Sequence, residues 1–194
     1  LPCQLMGTGM VFLWSHISSI SLASGHIVED MKLGIDLARL NKAPLFLHEA
    51  LVTSVFPPSE AATNTQRARW EHGHMSVIVN EAPKLIIGAI KNKNLQMFGM
   101  ACDLLVPPLA MLTLICTSVF IVSSLFATKL TALLAFALFS SLLLAVLLAW
   151  FKFGREIISF KQLCYAPIYA LVKIPLYFKF FINRQVEWVR SKRD

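Results

Sequence analysis

Two long apolar runs, joined by a single lysine, constrain this chain more than any other feature. Leu104 to Thr128 carries no charged residue, and neither does Leu130 to Phe151. Each exceeds the roughly 20 apolar residues that a helix needs to cross the hydrocarbon core of a bilayer. Backbone groups in lipid must be satisfied within the segment, so each run is predicted to be a helix. Only Lys129 separates them, which demands a tight antiparallel hairpin with almost no loop at its far end. Pro107 and Pro108 sit near the start of the first run, where missing N–H donors are best tolerated. A soluble enzyme is excluded.

Charge at the flanks predicts orientation. Lys84, Lys91 and Lys93 precede the hairpin, and Lys152, Arg155 and Lys161 follow it. The positive-inside rule places both flanks, and with them the N-terminal half, on the cytoplasmic side of a cytoplasmic (inner) membrane. Hydrophobic residues make up 56% of the chain, charged residues only 15%, and the net charge is +7. In so apolar a chain the cations serve the anionic lipid surface. No basic patch interleaved with aromatics and no zinc-finger spacing argues for nucleic acid. The cysteines Cys3, Cys102, Cys116 and Cys164 include no C-x-x-C pair and read as unpaired apolar fillers.

Around the hairpin lie segments too polar to span. Lys84 to Phe98 reads as an interfacial helix lying on the membrane, within a segment 81–103. Ile157 to Ile182 is apolar and aromatic but carries Lys161, Lys173 and Lys179 with Pro167 and Pro175. Charges at mid-span are costly, so 152–194 is expected to hold amphipathic interfacial segments, with a third span as the alternative. Its tail from Arg184 is basic and is expected near the inner leaflet.

Residues 1–80 have the composition of a soluble domain. Gly7-Thr8-Gly9 followed by Met10 to Trp14 predicts a turn leading into a short buried strand. The two glycines let backbone approach a ligand closely, although a plain tight turn explains them equally. Leu33, Leu37 and Leu40 recur at helical spacing, which predicts a helix from about Glu29 to Leu40 that stops at Asn41. Glu29 and Asp30 fall in its first turn. They either complement the helix dipole or supply a general base at the mouth of a site. Ala43 to His48 predicts another strand. Pro57-Pro58 breaks the chain, and Ser59 is a good N-cap for a helix carrying Gln66-Arg67-Ala68-Arg69-Trp70. Alternating strands and helices place this half in the α/β class.

On that helix Gln66 stands three residues from Arg69 and four from Trp70. Those spacings put an amide, a guanidinium and an indole on one face, with Arg67 rotated off it. The set suits hydroxyls, phosphate and a sugar ring, and it equally describes an amphipathic surface helix. His72 and His74, with His48 and Glu49, lack metal-ligand spacing and read as solvated or capping residues. No metal ligand is assigned.

Taken in order, these pieces resemble the C-terminal part of a membrane-bound family 2 glycosyltransferase, the inverting group that includes cellulose, chitin and hyaluronan synthases and exopolysaccharide enzymes. Gly7-Thr8-Gly9-Met10-Val11-Phe12 resembles the family's acceptor-side strand. Val28-Glu29-Asp30 resembles its Thr-Glu-Asp motif, with Val28 in place of Thr. Gln66-Arg67-Ala68-Arg69-Trp70 fits Q-x-x-R-W at every specified position, and Gly73 follows. A membrane hairpin downstream and the ending Trp188-Val189-Arg190-Ser191-Lys192-Arg193-Asp194 complete the pattern. The Asp-x-Asp motif that binds donor diphosphate through a metal is absent.

The resemblance implies a GT-A-like α/β domain whose donor-binding half lies outside 1–80, followed by the hairpin at 104–151. It implies a nucleotide-diphosphate sugar donor bound with Mg2+ or Mn2+, and a glycan or lipid-linked acceptor. By the same resemblance Asp30 is the catalytic base and Glu29 orients the site. Arg69 binds the donor diphosphate, while Trp70, Gln66, Gly7 and Thr8 serve the acceptor. A role in polysaccharide synthesis follows, and the isolated piece is expected to be inactive. The competing reading is a non-catalytic membrane subunit of a polysaccharide synthesis or export complex.

Overall fold

A computed structural model describes residues 2–22, 25–55 and 59–182. The Pro57-Pro58 break and the basic tail from Arg184, including the Trp188 to Asp194 ending, lie outside the described residues. The described residues of 1–107 and 180–194 form one compact unit, and 108–179 form a second.

The first unit is helical. A single turn α1 (Trp14–Ile17) precedes α2 (Glu29–Arg39), α3 (Glu60–Asn80), α4 (Ala82–Lys91) and α5 (Leu95–Leu104). Helix α2 runs as the leucine spacing predicts, and Asn41 ends the turn beyond it with φ 60°. Leu37 is buried as that spacing predicts, but the main core stripe is a neighbouring one. Val28, Met31, Ile35 and Ala38 recur at three- and four-residue steps and pack with Val77 of α3, with Leu85 and Ala89 of α4 and with Met97, Met100, Ala101 and Leu104 of α5. Ile35, Leu85, Met100, Leu104 and Val77 are the largest fully buried side chains. Burying each such side chain contributes about 1.5–3 kcal/mol, and together they hold this unit. Leu40 instead remains 46% exposed.

The segment read as one interfacial helix is two helices. Asn94 starts α5 by accepting the Met97 N–H at 3.0 Å on its side chain. Lys93 takes the left-handed conformation, φ 49°, in the turn between α4 and α5.

An ion-pair network fastens α2 at its C-terminal end. Arg39 donates to Glu81 at 2.6 Å and to Asp36 at 3.0 Å, Lys32 pairs with Asp36, and Lys84 reaches Glu81 at 3.2 Å. Burial alone would raise the Glu81 carboxyl. The hydrogen bonds and charges of Arg39 and Lys84 overcome it and hold the group below its ordinary range.

The α/β expectation is overturned. Among the described residues there is no strand, only one isolated antiparallel bridge between Pro2 and Leu45, with the Cys3 N–H donating to Pro44 O at 3.0 Å. A strand is stabilised by a neighbour that takes up its N–H and C=O groups. The stretches after Gly7 and Ala43 meet no such ladder here. Their side chains are correspondingly open, Val11 at 94% and Phe46 at 76% exposure. In place of the predicted buried strand, Met10 to Leu13 carry no regular structure and Trp14 opens α1.

The second unit contains the hairpin. Helix α6 (Leu109–Phe126) and α7 (Lys129–Ala149) are joined by Ala127 and Thr128, and Thr128 caps α7 by accepting the Thr131 N–H. Phe120 of α6 stacks on Phe139 of α7 with ring centroids 5.6 Å apart. Polar side chains inside α6 satisfy themselves: Thr113 donates to Leu109 O at 2.8 Å and Thr117 to Thr113 O at 2.7 Å. That pattern lets hydroxyls sit in lipid without a partner helix. A π turn (Trp150–Gly154) follows, then α8 (Phe160–Leu163), α9 (Ala166–Val172) and α10 (Ile174–Ile182). By length and composition three helical stretches are apolar enough to cross a membrane: Leu109–Phe126, Lys129–Gly154 and Phe160–Ile182. The alternative of a third span thus has a helical stretch of the required length.

Candidate functional site

Three short segments of the first unit build one cleft. Helix α3 starts where Ser59 accepts the Ala62 N–H at 3.1 Å, so the sequence-predicted cap sets the phase of the helix that bears Arg69 and Trp70. Helix α2 starts at Glu29 after the buried Val28. Asp30 folds its carboxylate back on the helix start, where Oδ1 accepts the Met31 N–H at 2.9 Å. The third segment is the turn at Gly7 and Thr8. Gly7 has φ +80°, and a Cβ placed on it would stand 3.1 Å from Asp30 Oδ2. Only glycine combines that backbone angle with room for the carboxylate.

These segments enclose a cavity of about 480 Å³. Gly7, Thr8, Glu29, Asp30, Arg69 and Trp70 all line it, so residues 7, 29 and 69, far apart in sequence, are brought together. Trp70 is 43% exposed. Gln66 is not part of the lining, and its buried Oε1 accepts no hydrogen bond among the described residues. Lys32, Leu33 and Asp36 also line the cavity, and sequence reasoning missed them. The signal was present: Lys32 and Leu33 lie three and four residues after Glu29, and Asp36 a further turn on, one face of α2.

Electrostatics single out Asp30. Burial raises its carboxyl above the ordinary Asp range, its backbone hydrogen bonds from Met31 and from its own N–H oppose this, Glu29 raises it further and Arg69 draws it down. The net upward shift makes Asp30 a stronger proton acceptor than a solvated aspartate.

Of the histidines expected to be solvated or capping, His48 lies at the surface and His74 bonds the last carbonyl of α5, while His72 is buried. His72 is 4% exposed and meets the Phe180 ring edge-on, centroids 5.7 Å apart. The His74 Nε2–H donates to Leu104 O at 3.2 Å. Burial pushes the His74 imidazole below its usual range, against the opposing effects of Leu104 O and Asp103. His48 pairs at the surface with Glu49 at 3.2 Å.

The family model for glycosyl transferase family group 2 matches residues 1–153, which take in the whole cleft and the hairpin. The chain belongs to glycosyl transferase family group 2. Comparisons with curated proteins and with solved structures found no match. Membership makes this chain a glycosyltransferase by family, and such a transferase needs a nucleotide sugar donor and an acceptor.

The divalent ion implied for such a donor does not fit the residues at hand. Among the described residues no three His, Cys, Asp or Glu side chains converge as a cation site, although Glu29, Asp30 and Asp36 share the cleft wall. Asp36 is taken up by Lys32 and Arg39, and Asp30 Oδ1 by backbone. At the cleft the chain places the Asp30 carboxyl, held above its ordinary range, beside the Arg69 guanidinium and the partly exposed Trp70 indole.

Proposed function

We propose that this family member is an inverting glycosyltransferase acting at the cytoplasmic face of the membrane, moving a sugar from a nucleotide-diphosphate sugar to a hydroxyl of a glycan or lipid-linked acceptor, in polysaccharide synthesis. The observation that carries this reading is the single cleft lined by Asp30, Arg69 and Trp70. Asp30 takes the proton from the acceptor hydroxyl. The oxygen then forms a bond to the anomeric carbon, and the bond from that carbon to the diphosphate oxygen breaks with its electron pair. Arg69 stabilises the charge that gathers on the departing diphosphate, a preorganised electrostatic role. Trp70 stacks on the acceptor ring, and Glu29 orients the site. Gly7 and Thr8 line the same wall and bring backbone close to the acceptor. Gln66, one turn before Trp70 on α3 and outside the cavity lining, is assigned the acceptor hydroxyls on the family pattern alone.

The steps use side chains of this chain only. The cytoplasmic face is supported by the lysines and arginine flanking the hairpin. The test is incubation of membranes bearing the full-length protein with a panel of labelled nucleotide-diphosphate sugars. Incorporation into a glycan or lipid fraction, with inversion at the anomeric carbon, is the expected result. Absence of incorporation from every donor, with the protein present and membrane-inserted, would overturn it.

A further inference from the structure

The acidic pair and the Arg69–Trp70 pair sit on different helices, and something must set how high one stands against the other. The structure shows a close contact at the base of the cleft. Gly73 of α3 is buried against Val28, and a Cβ placed on Gly73 would lie 2.4 Å from Val28 Cγ1 and 3.1 Å from Cγ2. Real Cβ atoms do not approach so closely, and the neighbour is a stiff β-branched side chain. Val28 is itself 4% exposed and belongs to the core with Met31 and Val77. It therefore has no free direction in which to retreat.

The spacing turns this contact into a gauge. Arg69, Gly73 and Val77 follow at four-residue steps, so they lie along one side of α3, about 6 Å apart along the axis. Val28 immediately precedes Glu29 and Asp30. Seating Gly73 on Val28 thus brings Arg69, one turn before it, level with the start of α2. On its other side Asp30 faces Gly7, whose missing Cβ would stand 3.1 Å from Oδ2 and so leaves room for the carboxylate.

We propose that Gly73 is a positioning residue of the transfer reaction: the seat of its bare Cα on Val28 fixes Arg69 and Trp70 opposite Glu29 and Asp30. The proposal rests on the glycosyl-transfer reading for its catalytic consequence, while the positioning itself is a property of the fold. It also explains why valine stands before this acidic pair. A branched apolar side chain meets a glycine, where a hydroxyl would be buried among methyl groups.

The experiment uses the full-length chain in membranes, with the wild type, Gly73→Ala and the double variant Val28→Ala/Gly73→Ala compared at equal membrane abundance. Two readouts are taken. The first is the yield of a short bismaleimide cross-link between Lys32→Cys and Trp70→Cys, both lining residues, introduced where the four native cysteines are alanine. The second is the kcat and KM for sugar transfer and the acid limb of its pH profile. Gly73→Ala is expected to lower the cross-link yield at least threefold, to cut kcat at least tenfold with KM for the donor changed less, and to move the acid limb. The double variant, which removes the methyls that the new Cβ would strike, is expected to recover most of both. A cross-link yield unchanged by Gly73→Ala, or no better in the double variant, overturns the positioning role whatever the activity does. A yield that falls and recovers as expected, in a protein whose wild type transfers no sugar, upholds the positioning and overturns the proposed reaction instead.

Discussion

Replacing Arg39 by alanine tests how α2 is held. Arg39 makes a 2.6 Å hydrogen bond to Glu81, whose side chain is only 10% exposed, and a 3.0 Å bond to Asp36 at 24% exposure. The Arg39 side chain is itself 35% exposed, so water screens part of the gain. The charged hydrogen bond to a buried carboxylate contributes about 1.5–3 kcal/mol. The bond to Asp36 adds about 0–1 kcal/mol, since Lys32 continues to serve that carboxylate. The loss sums to about 1.5–4 kcal/mol, or a melting temperature lower by about 3–16 °C for a chain of this size. The assay is thermal unfolding of the detergent-solubilised protein across pH. The Glu81 carboxyl is held below its ordinary range, so its contribution is complete above the unfolded glutamate pKa of about 4.3. It is lost as pH falls from there through the lower folded value. Wild type and Arg39→Ala should therefore differ at neutral pH and converge in acid. Glu81→Gln should also lower melting at neutral pH and converge with wild type in acid, because it removes the charge that Arg39 and Lys84 both serve. Equal melting of wild type and Arg39→Ala at pH 7, or a difference that persists undiminished in acid, would refute the reasoning.

Three further outcomes follow from the cleft and its supports. Trp70→Ala should raise the acceptor KM about three- to tenfold, the loss of about 0.5–1.5 kcal/mol of ring stacking, and leave the donor KM nearly unchanged; kinetics with each substrate varied in turn decides it. The transfer rate should fall on acidification through a pKa above the ordinary aspartate value of about 3.9, because Asp30 must be ionised to act and burial raises it; Arg69→Ala should move that limb still higher, since Arg69 draws the Asp30 pKa down, besides slowing transfer. His74 has a lowered pKa in the folded chain, so stability is full above the unfolded histidine value of about 6.5 and declines as pH falls below it; His74→Gln should flatten that decline, as read by unfolding temperature between pH 7 and pH 5.

The parts of this chain that were legible in its sequence are those fixed by local rules. A serine followed by a helical stretch gave the start of α3, and a leucine spacing with asparagine gave the extent of α2. Uncharged runs longer than a bilayer's depth gave α6 and α7. The cleft was legible for a related reason. Glu29, Asp30, Arg69 and Trp70 sit at helix positions whose facing is set by spacing, and the glycine at position 7 marks a close approach. What was not legible depends on partners distant in the chain. The apolar stretches near Val11 and Phe46 look like strands because side-chain pattern alone cannot show whether a neighbour supplies a ladder. Leu37 is core as its spacing predicts, but Leu40 stays exposed while Ile35 and Ala38 are core, because the buried side of α2 is chosen by the helices packed on it and extends past the leucine stripe. Gln66 shares a helix face with Trp70 at the level of spacing, yet the cleft wall ends at Arg69. His72 read as solvated or capping and is buried against Phe180, a residue 108 positions away in sequence.

The central claim is that Asp30 removes the acceptor proton. Its most direct test is the initial rate of sugar transfer by membranes bearing full-length Asp30→Asn protein, measured beside wild type at equal abundance after alkaline washing. Asparagine keeps the side chain's shape beside Gly7 and Met31 and removes its basicity. A loss of transfer of about 10²–10⁴-fold, with donor binding and membrane insertion retained, is the predicted result. Transfer within about tenfold of wild type would contradict the assignment.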